Sequence, residues 1–346
     1  MHPILFTIPV IDFPIYTFAV LTLASVMLSL QYISYESKRR GLDAENNVNF
    51  AIEVFLAGLI GTRLLFVAMN WSDMNPPGTS VFGMLFNTIN LRNGGLVWYA
   101  GPIASMSYYL WRNKTYKVKS RMIADIFVVG VPLGHAVGRI GCFMVGDDFG
   151  KVWTPDSVWP EWATVTFTSP DALLPEAFKG KPLLPSQLLM SLGNWVIFGV
   201  LFAARKRLVR QAGCAASLYF ILYALHRFLV EFTRGDEIRG FLYKGESFQL
   251  ATSQGIALAL LPVGLAAFWW FYTHPVPDED LAPNDLQNLA ALASEGPAAA
   301  APAAQPNAPA EDASAPAKDV PAEAGGHDAP ADAPPKDTPD GAGDGA

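Results

Sequence analysis

The 346-residue chain is 51% hydrophobic and only 16% charged, against roughly 25% charged residues in ordinary soluble domains, and its mean hydropathy is +0.25. That composition excludes a conventional soluble domain and makes a polytopic membrane protein the first class to consider. The formal net charge of −7 belongs to one end: residues 275–346 carry 14 acids against Lys318 and Lys336, a net −12, which leaves about +5 on residues 1–274.

Seven apolar stretches of roughly the 20 residues a helix needs to cross a bilayer follow one another near 15–34, 50–69, 95–111, 122–143, 184–203, 215–232 and 253–272. The first is not a cleavable signal by its pattern, because its positive charges come after it and no basic region precedes it. Lys38, Arg39 and Arg40 follow the first span, Arg112, Lys114, Lys117, Lys119 and Arg121 the third, and Arg205, Lys206, Arg207 and Arg210 the fifth. Such loops belong in the cytoplasm, so the N-terminus is expected outside. The alternate loops are poor in cations, and residues 144–183 hold six acids against Lys151, Lys179 and Lys181.

From Pro275 the composition turns to Ala, Pro, Gly and Asp, with too little apolar surface to offset the entropy of ordering. The expected organisation is therefore an all-α, polytopic membrane domain over 1–274, with about seven transmembrane helices, and a disordered, acidic, cytoplasmic tail over 275–346. Cys142 and Cys214 fall at opposite ends of this topology and are not expected to pair, and neither has the neighbours of a metal site.

Intramembrane polar residues are costly and mark function or internal pairing. In this topology they share one end. Arg63 lies toward the outer end of the second span, Asn93 to Tyr99 at the start of the third, Arg139 to Asp148 at the end of the fourth, Gln187 at the start of the fifth, and Arg227, Glu231 and Arg234 at the end of the sixth. Arg227 and Glu231 are spaced i,i+4, and Glu231 and Arg234 i,i+3, so the three can share a helical face. An isolated Arg–Glu pair reads equally well as a structural bridge, but arginines from three spans at one interface point to an anion site.

Within "GVPLGHAVGRIG", Gly130 and Gly134 read as close helix packing, whereas Gly138 and Gly141 flank Arg139 and fit close approach of backbone to a ligand equally well. His135 and His226 read as hydrogen-bonded packing residues, Cys142 as a small hydrophobe, and Asp148 as a solvated loop acid. A small-anion transporter would also place arginines in the membrane, but it calls for polar groups through to the inner face, and the inner halves of these spans are nearly all apolar.

The region resembles the prolipoprotein diacylglyceryl transferases of bacterial inner membranes over roughly residues 10–272. The resemblance is carried by Gly138, Arg139, Ile140, Gly141, Asp147 and Gly150, by the Pro-Ser-Gln-Leu run Pro185 to Leu188, and by the Arg-Phe-x-Val-Glu-Phe-x-Arg run Arg227 to Arg234. The sequence departs from the family pattern at Phe18, Tyr99, Cys142, Val145 and Met190, with Tyr99 in the stretch where many members carry a histidine. A paralogue that binds anionic lipid without transfer is the rival within this resemblance.

The resemblance implies transfer of the diacylglyceryl group of phosphatidylglycerol to the cysteine thiol of a prolipoprotein signal peptide, its lipobox cysteine, with glycerol phosphate leaving at the periplasmic face. It further implies Arg139 and Arg227 on the phosphate, Arg63 and Arg234 as supporting cations, Glu231 orienting Arg227 or Arg234, and Asp147 on the headgroup hydroxyls. Gly138, Gly141, Gly150 and Gln187 would shape the substrate site, and Tyr99 would position thiol or lipid. Membrane lipid is the other expected partner; no cofactor, metal or nucleic acid is implied.

Overall fold

The computed structural model describes residues 2–9, 12–90, 95, 97, 99–116, 120–236, 240–245 and 249–294. Asn93, Gly94, Leu96, Trp98, Lys117, Lys119 and the tail beyond residue 294 lie outside the described residues. A short hairpin, β1 (Ile4–Ile8) and β2 (Phe13–Tyr16), leads directly into α1 (Thr17–Arg40). Gly41 ends α1 at φ 73°, with its N–H bonded to the Lys38 carbonyl and that of Leu42 to the Ser37 carbonyl. This is the left-handed stop that glycine supplies most readily. The Asp43 side chain accepts from the Asn46 N–H at 3.0 Å and starts α2 (Ala44–Met69).

After α2 come α3 (Trp71–Met74), α4 (Val81–Ile89), α5 (Ala100–Tyr116) and α6 (Ser120–Val145). Beyond α6 a loop folds around the small strands β3 (Val165–Thr166) and β4 (Pro182–Leu183), and α7 (Ser186–Ala204) and α8 (Cys214–Val230) follow. A single 3-10 turn at Glu231–Thr233 and a hairpin, β5 (Phe241–Lys244) with β6 (Gln249–Ala251), then lead to α9 (Thr252–Thr273) and α10 (Asp285–Ser294).

Neighbouring helices run antiparallel. The Ser29 hydroxyl of α1 donates to the Gly130 carbonyl of α6 at 2.9 Å, and Gly141, further along α6, lies against Phe18, further back on α1. Ser105 of α5 donates to the Val54 carbonyl of α2, and Ser191 of α7 to the Ala136 carbonyl of α6. The start of α1, the end of α2, the start of α5, the end of α6, the start of α7, the end of α8 and the start of α9 therefore gather at one end of the bundle. Tyr32, Ile126, Val129, Leu133, Ile197, Leu201 and Tyr219 fill its centre. Large apolar side chains such as Leu23, Ile60, Leu192 and Val263 stay exposed on the outside, as a bundle solvated by lipid requires.

Six of these helices, α1, α2, α6, α7, α8 and α9, are long and apolar enough to cross a membrane. The seventh expected span is α5, which begins five residues later than the apolar stretch suggests and has 17 residues, about 25 Å at 1.5 Å per residue.

The boundary at residue 274 needs correction, since packed structure continues to residue 294. Arg40, at the end of α1, pairs with Asp285 at 2.6 Å with both side chains buried, and the Asn284 N–H donates to the Arg40 carbonyl. Arg210 pairs with Asp278 at 2.6 Å. The Ala/Pro-rich average of the last 72 residues conceals this stretch, in which the Asp285 side chain also reaches back to accept from the N–H of Ala282, three residues earlier.

The loop between α6 and α7 has its own small core of Phe149, Phe167, Ala172, Leu174 and Leu183. Trp153 and Trp159 donate their indole N–H groups inside this loop, to the carbonyls of Trp159 and Ala163.

Candidate functional site

Three helices leave a small cavity near the gathered end of the bundle. From α6 come His135 and Arg139, from α7 Met190 and Asn194, and from α8 Tyr223, His226, Arg227 and Val230. Arg139 and Arg227, distant in sequence, thus face one space. Pairing Arg227 with Glu231 at 2.6 Å keeps a nearly fully buried carboxylate neutralised, as a charge removed from water requires.

Arg139 and Arg234 are joined by Asp148. Its two carboxylate oxygens accept from Nη1 of Arg139 and Nη2 of Arg234, and Arg234 also bonds Asp236 at 2.5 and 2.8 Å. Reading Asp148 as a solvated acid is therefore wrong: it is the carboxylate that ties α6 to the segment after α8. Burial pushes its carboxyl up, but the Arg139 and Arg234 guanidiniums outweigh burial and hold it below its ordinary value. Asp147 is shifted the other way, first by burial and then by the neighbouring Asp148 charge.

Local chain geometry explains how Asp148 is placed. It sits at φ 54°, a left-handed conformation in which Asp and Asn are the commonest residues after glycine. Gly150 forms an antiparallel bridge with Arg234, the Lys151 N–H donates to the Thr233 carbonyl, and the Gly235 N–H donates to the Phe149 carbonyl. A Cβ on Gly150 would lie 2.1 Å from the Leu184 carbonyl oxygen and 2.7 Å from the Ser186 hydroxyl. Three chain segments meet there, and only glycine leaves room. Gln187, fully buried, donates to the Asp147 carbonyl at 2.8 Å and pins the same loop to the start of α7. Gly150 and Gln187 are thus placed as supports of the acidic loop rather than as lining of the cavity.

Other expectations require revision. Arg63 is buried, and its guanidinium donates to the carbonyls of Asn87, Thr88, Asn90 and Gly95 at 2.8–3.2 Å. It satisfies carbonyls left open at the C-terminal end of α4, so all three of its nitrogens already have protein partners. Gly138 and Gly141 lie toward α1, where Cβ atoms would meet Ser25 and Phe18; of their two readings, helix packing is the one realised. Tyr99 stands half exposed in the turn before α5, on a helix that packs along α2.

The sequence pattern reads His135 and His226 as packing residues and does not single out Asn194 or Tyr223. A polar residue one turn from an arginine carries no mark of its own in the sequence, and only the packing of α7 between α6 and α8 brings these four into one space.

Among the described residues, bonds and ion pairs to protein engage Nη1 of Arg139 and Nη1 of Arg227. The rest of each planar fork remains available, and such forks match phosphate oxygens two at a time. The arrangement is suited to holding an anionic ester beside imidazole and amide groups.

Residues 3–270 match the sequence model of the prolipoprotein diacylglyceryl transferase family. A phosphatidylglycerol–prolipoprotein diacylglyceryl transferase of Clostridium tetani is 29% identical over 271 residues, covering 78% of this chain and 97% of its own length. A protein of the same name from Prochlorococcus marinus is 24% identical, covering 74% of this chain and 86% of its own. One from Symbiobacterium thermophilum is 26% identical, covering 77% and 91%.

Proposed function

The chain belongs to the prolipoprotein diacylglyceryl transferase family, and on that premise we propose that it transfers the diacylglyceryl group of phosphatidylglycerol to the lipobox cysteine thiol of a prolipoprotein, releasing glycerol phosphate. The names of its relatives supply the two substrates. The observation that carries the reading is the single cavity onto which Arg139 and Arg227 open, at the end of the bundle where Asp148 couples Arg139 to Arg234.

The reaction is displacement at carbon by sulfur. It needs a thiolate, an in-line pose and a stabilised leaving group, and it calls for no redox or group-carrying cofactor. Arg139 and Arg227 hold the phosphate ester and the charge that grows on its bridging oxygen as the bond breaks. Glu231 fixes the orientation of Arg227. Asp148 and Asp236 hold Arg234 as a second layer behind Arg139. Asp147, beside this layer, bonds the headgroup hydroxyls, and Tyr99 positions the acyl chains or the peptide from the α5 side. The cation-rich loops support a position for this end of the bundle at the periplasmic face of a bacterial inner membrane.

The test uses purified full-length protein, phosphatidylglycerol vesicles and a lipobox peptide, with lipidated peptide and free glycerol phosphate measured together. Equal amounts of both products are expected. Arg227→Lys keeps the charge but loses the fork and should recover only part of the rate, whereas Arg227→Ala should abolish transfer. Full turnover by folded Arg227→Ala, or lipid binding without glycerol phosphate release by the parent, would overturn the reading.

A further inference from the structure

We propose that His226 is the base that takes the proton of the acceptor thiol, its imidazole seated over Gly193 beside the Arg139–Arg227 cavity. The proposal rests on the transfer reading given above and names a group that reading leaves open.

The first observation is steric. A Cβ on Gly193 would fall 2.1, 2.3 and 2.6 Å from Cε1, Nδ1 and Nε2 of His226. Helix α7 therefore has a notch at that position, and the ring lies in it against bare backbone. The second observation is orientation. The Met190 carbonyl, which accepts from Nδ2 of Asn194 at 2.7 Å, lies within reach of the His226 ring. A neutral imidazole that gives its one N–H to a carbonyl has its other nitrogen as an acceptor, and His226 lines the cavity that holds both arginines. The third is an unpartnered group. Asn194 is 2% exposed and lines the same cavity, yet its Oδ1 has no partner among the described residues. A buried acceptor left open is costly and fits a site that takes a donor from outside, here a thiol S–H or the water that relays its proton.

The other ionisable groups around the cavity are His135 and Arg139 on α6 and Tyr223 and Arg227 on α8; α7 presents none there. No glycine notch holds the His135 ring among the described residues, and its aromatic neighbour Tyr223 is 6.2 Å away between centroids. The seat over Gly193 therefore distinguishes the two histidines.

In the step itself the thiol S–H bond breaks, the proton goes to the free nitrogen of His226 and the electron pair stays on sulfur. The thiolate attacks the diacylglyceryl carbon that bears the phosphate ester. The C–S bond forms as the C–O bond breaks, and the electron pair of the C–O bond leaves on a phosphate oxygen held by the arginines. The proton on the imidazolium then passes to the departing glycerol phosphate, which restores neutral His226.

Transfer rate is to be followed against pH for the parent, His226→Gln and Gly193→Ala, with phosphatidylglycerol binding measured on each. His226→Gln should bind lipid like the parent and transfer about 100-fold more slowly at pH 7, within the range usual for loss of a general base. Its rate should recover as pH approaches the free thiol value of about 8.5. Gly193→Ala, whose methyl displaces the ring, should show the same profile with the imidazole intact. A His226→Gln protein with the parent's pH profile overturns the proposal, as does loss without recovery at high pH, or a profile change that follows His135→Gln instead. A parent that releases no glycerol phosphate sinks the transfer reading and this proposal together, whereas an active parent with any of those three results sinks this proposal alone.

Discussion

Asp148→Asn isolates the charge that joins Arg139 to Arg234. Asn tolerates the left-handed conformation of this position as well as Asp does, so the backbone preference is unchanged while one negative charge is lost. Removing one partner of a buried ion pair costs about 3–5 kcal/mol. Here the Asp148 side chain is 24% exposed and Arg234 keeps Asp236, which lowers the expected cost to about 1–3 kcal/mol. Arg139 has no other carboxylate among the described residues and loses its anchor. A catalytic group released from its pose by that amount should slow transfer by about 10–100-fold, with a smaller change in KM. The pH dependence has a definite sign. Because the Asp148 carboxyl is held low by Arg139 and Arg234 against burial, its contribution to stability is present above the unfolded-state value, about 3.9, and is lost as pH falls through the still lower folded-state value. In thermal unfolding in detergent, the stability advantage of the parent over Asp148→Asn should therefore shrink at acid pH. Equal rates and equal unfolding profiles for the two proteins would refute the assignment of Asp148 as the holder of Arg139.

Three further outcomes are expected. Truncation after Ser294 should leave unfolding temperature and transfer unchanged, whereas truncation after Thr273 removes Asp285 and the segment packed over Arg40 and should lower the unfolding temperature. Tyr99→Phe should keep most of the transfer rate, because the thiol proton is assigned to His226 and the phenol only to positioning; loss of activity in folded protein would give the hydroxyl a direct role. With Cys142 and Cys214 replaced, an impermeant thiol probe on intact spheroplasts should label a cysteine at Ser169 and miss one at Lys206, and the reverse pattern would place the cavity at the cytoplasmic face.

The spans were legible because a helix in lipid must be apolar over its whole length, and the six longest helices fall close to the stretches marked by composition. The start of α5 was not, since the hydropathic run begins near residue 95 and the helix at Ala100. Helix α4 escaped notice because nine residues are too short to span. The arginines were legible as charges where lipid makes charge expensive, but their partners were not. Asp147 and Asp148 are adjacent and identical in sequence terms, and only the turn after α6 aims the second at two guanidiniums. Arg63 looked like Arg139 in sequence because the open carbonyls at the end of α4 arise from a helix that had not been foreseen.

What separates a structural arginine from a receptive one in this protein is how much of the guanidinium is already committed. Arg40 gives Nε to both oxygens of Asp285 and Nη2 to one of them, with the carboxylate fully buried. Arg63 spends Nε, Nη1 and Nη2 on four carbonyls. Arg234 divides Nε and Nη2 between Asp236 and Asp148. Arg139 and Arg227 each commit one terminal nitrogen to a carboxylate, and these are the two that open on the cavity. One carboxylate apiece is enough to keep each guanidinium neutralised and oriented in a lipid setting while leaving donors for a phosphate. A second fixed carboxylate would fill those donors and repel the anion. The differing fates of the arginines therefore follow from partner count, which depends on tertiary packing, and not from position along the spans, which is all that hydropathy reads.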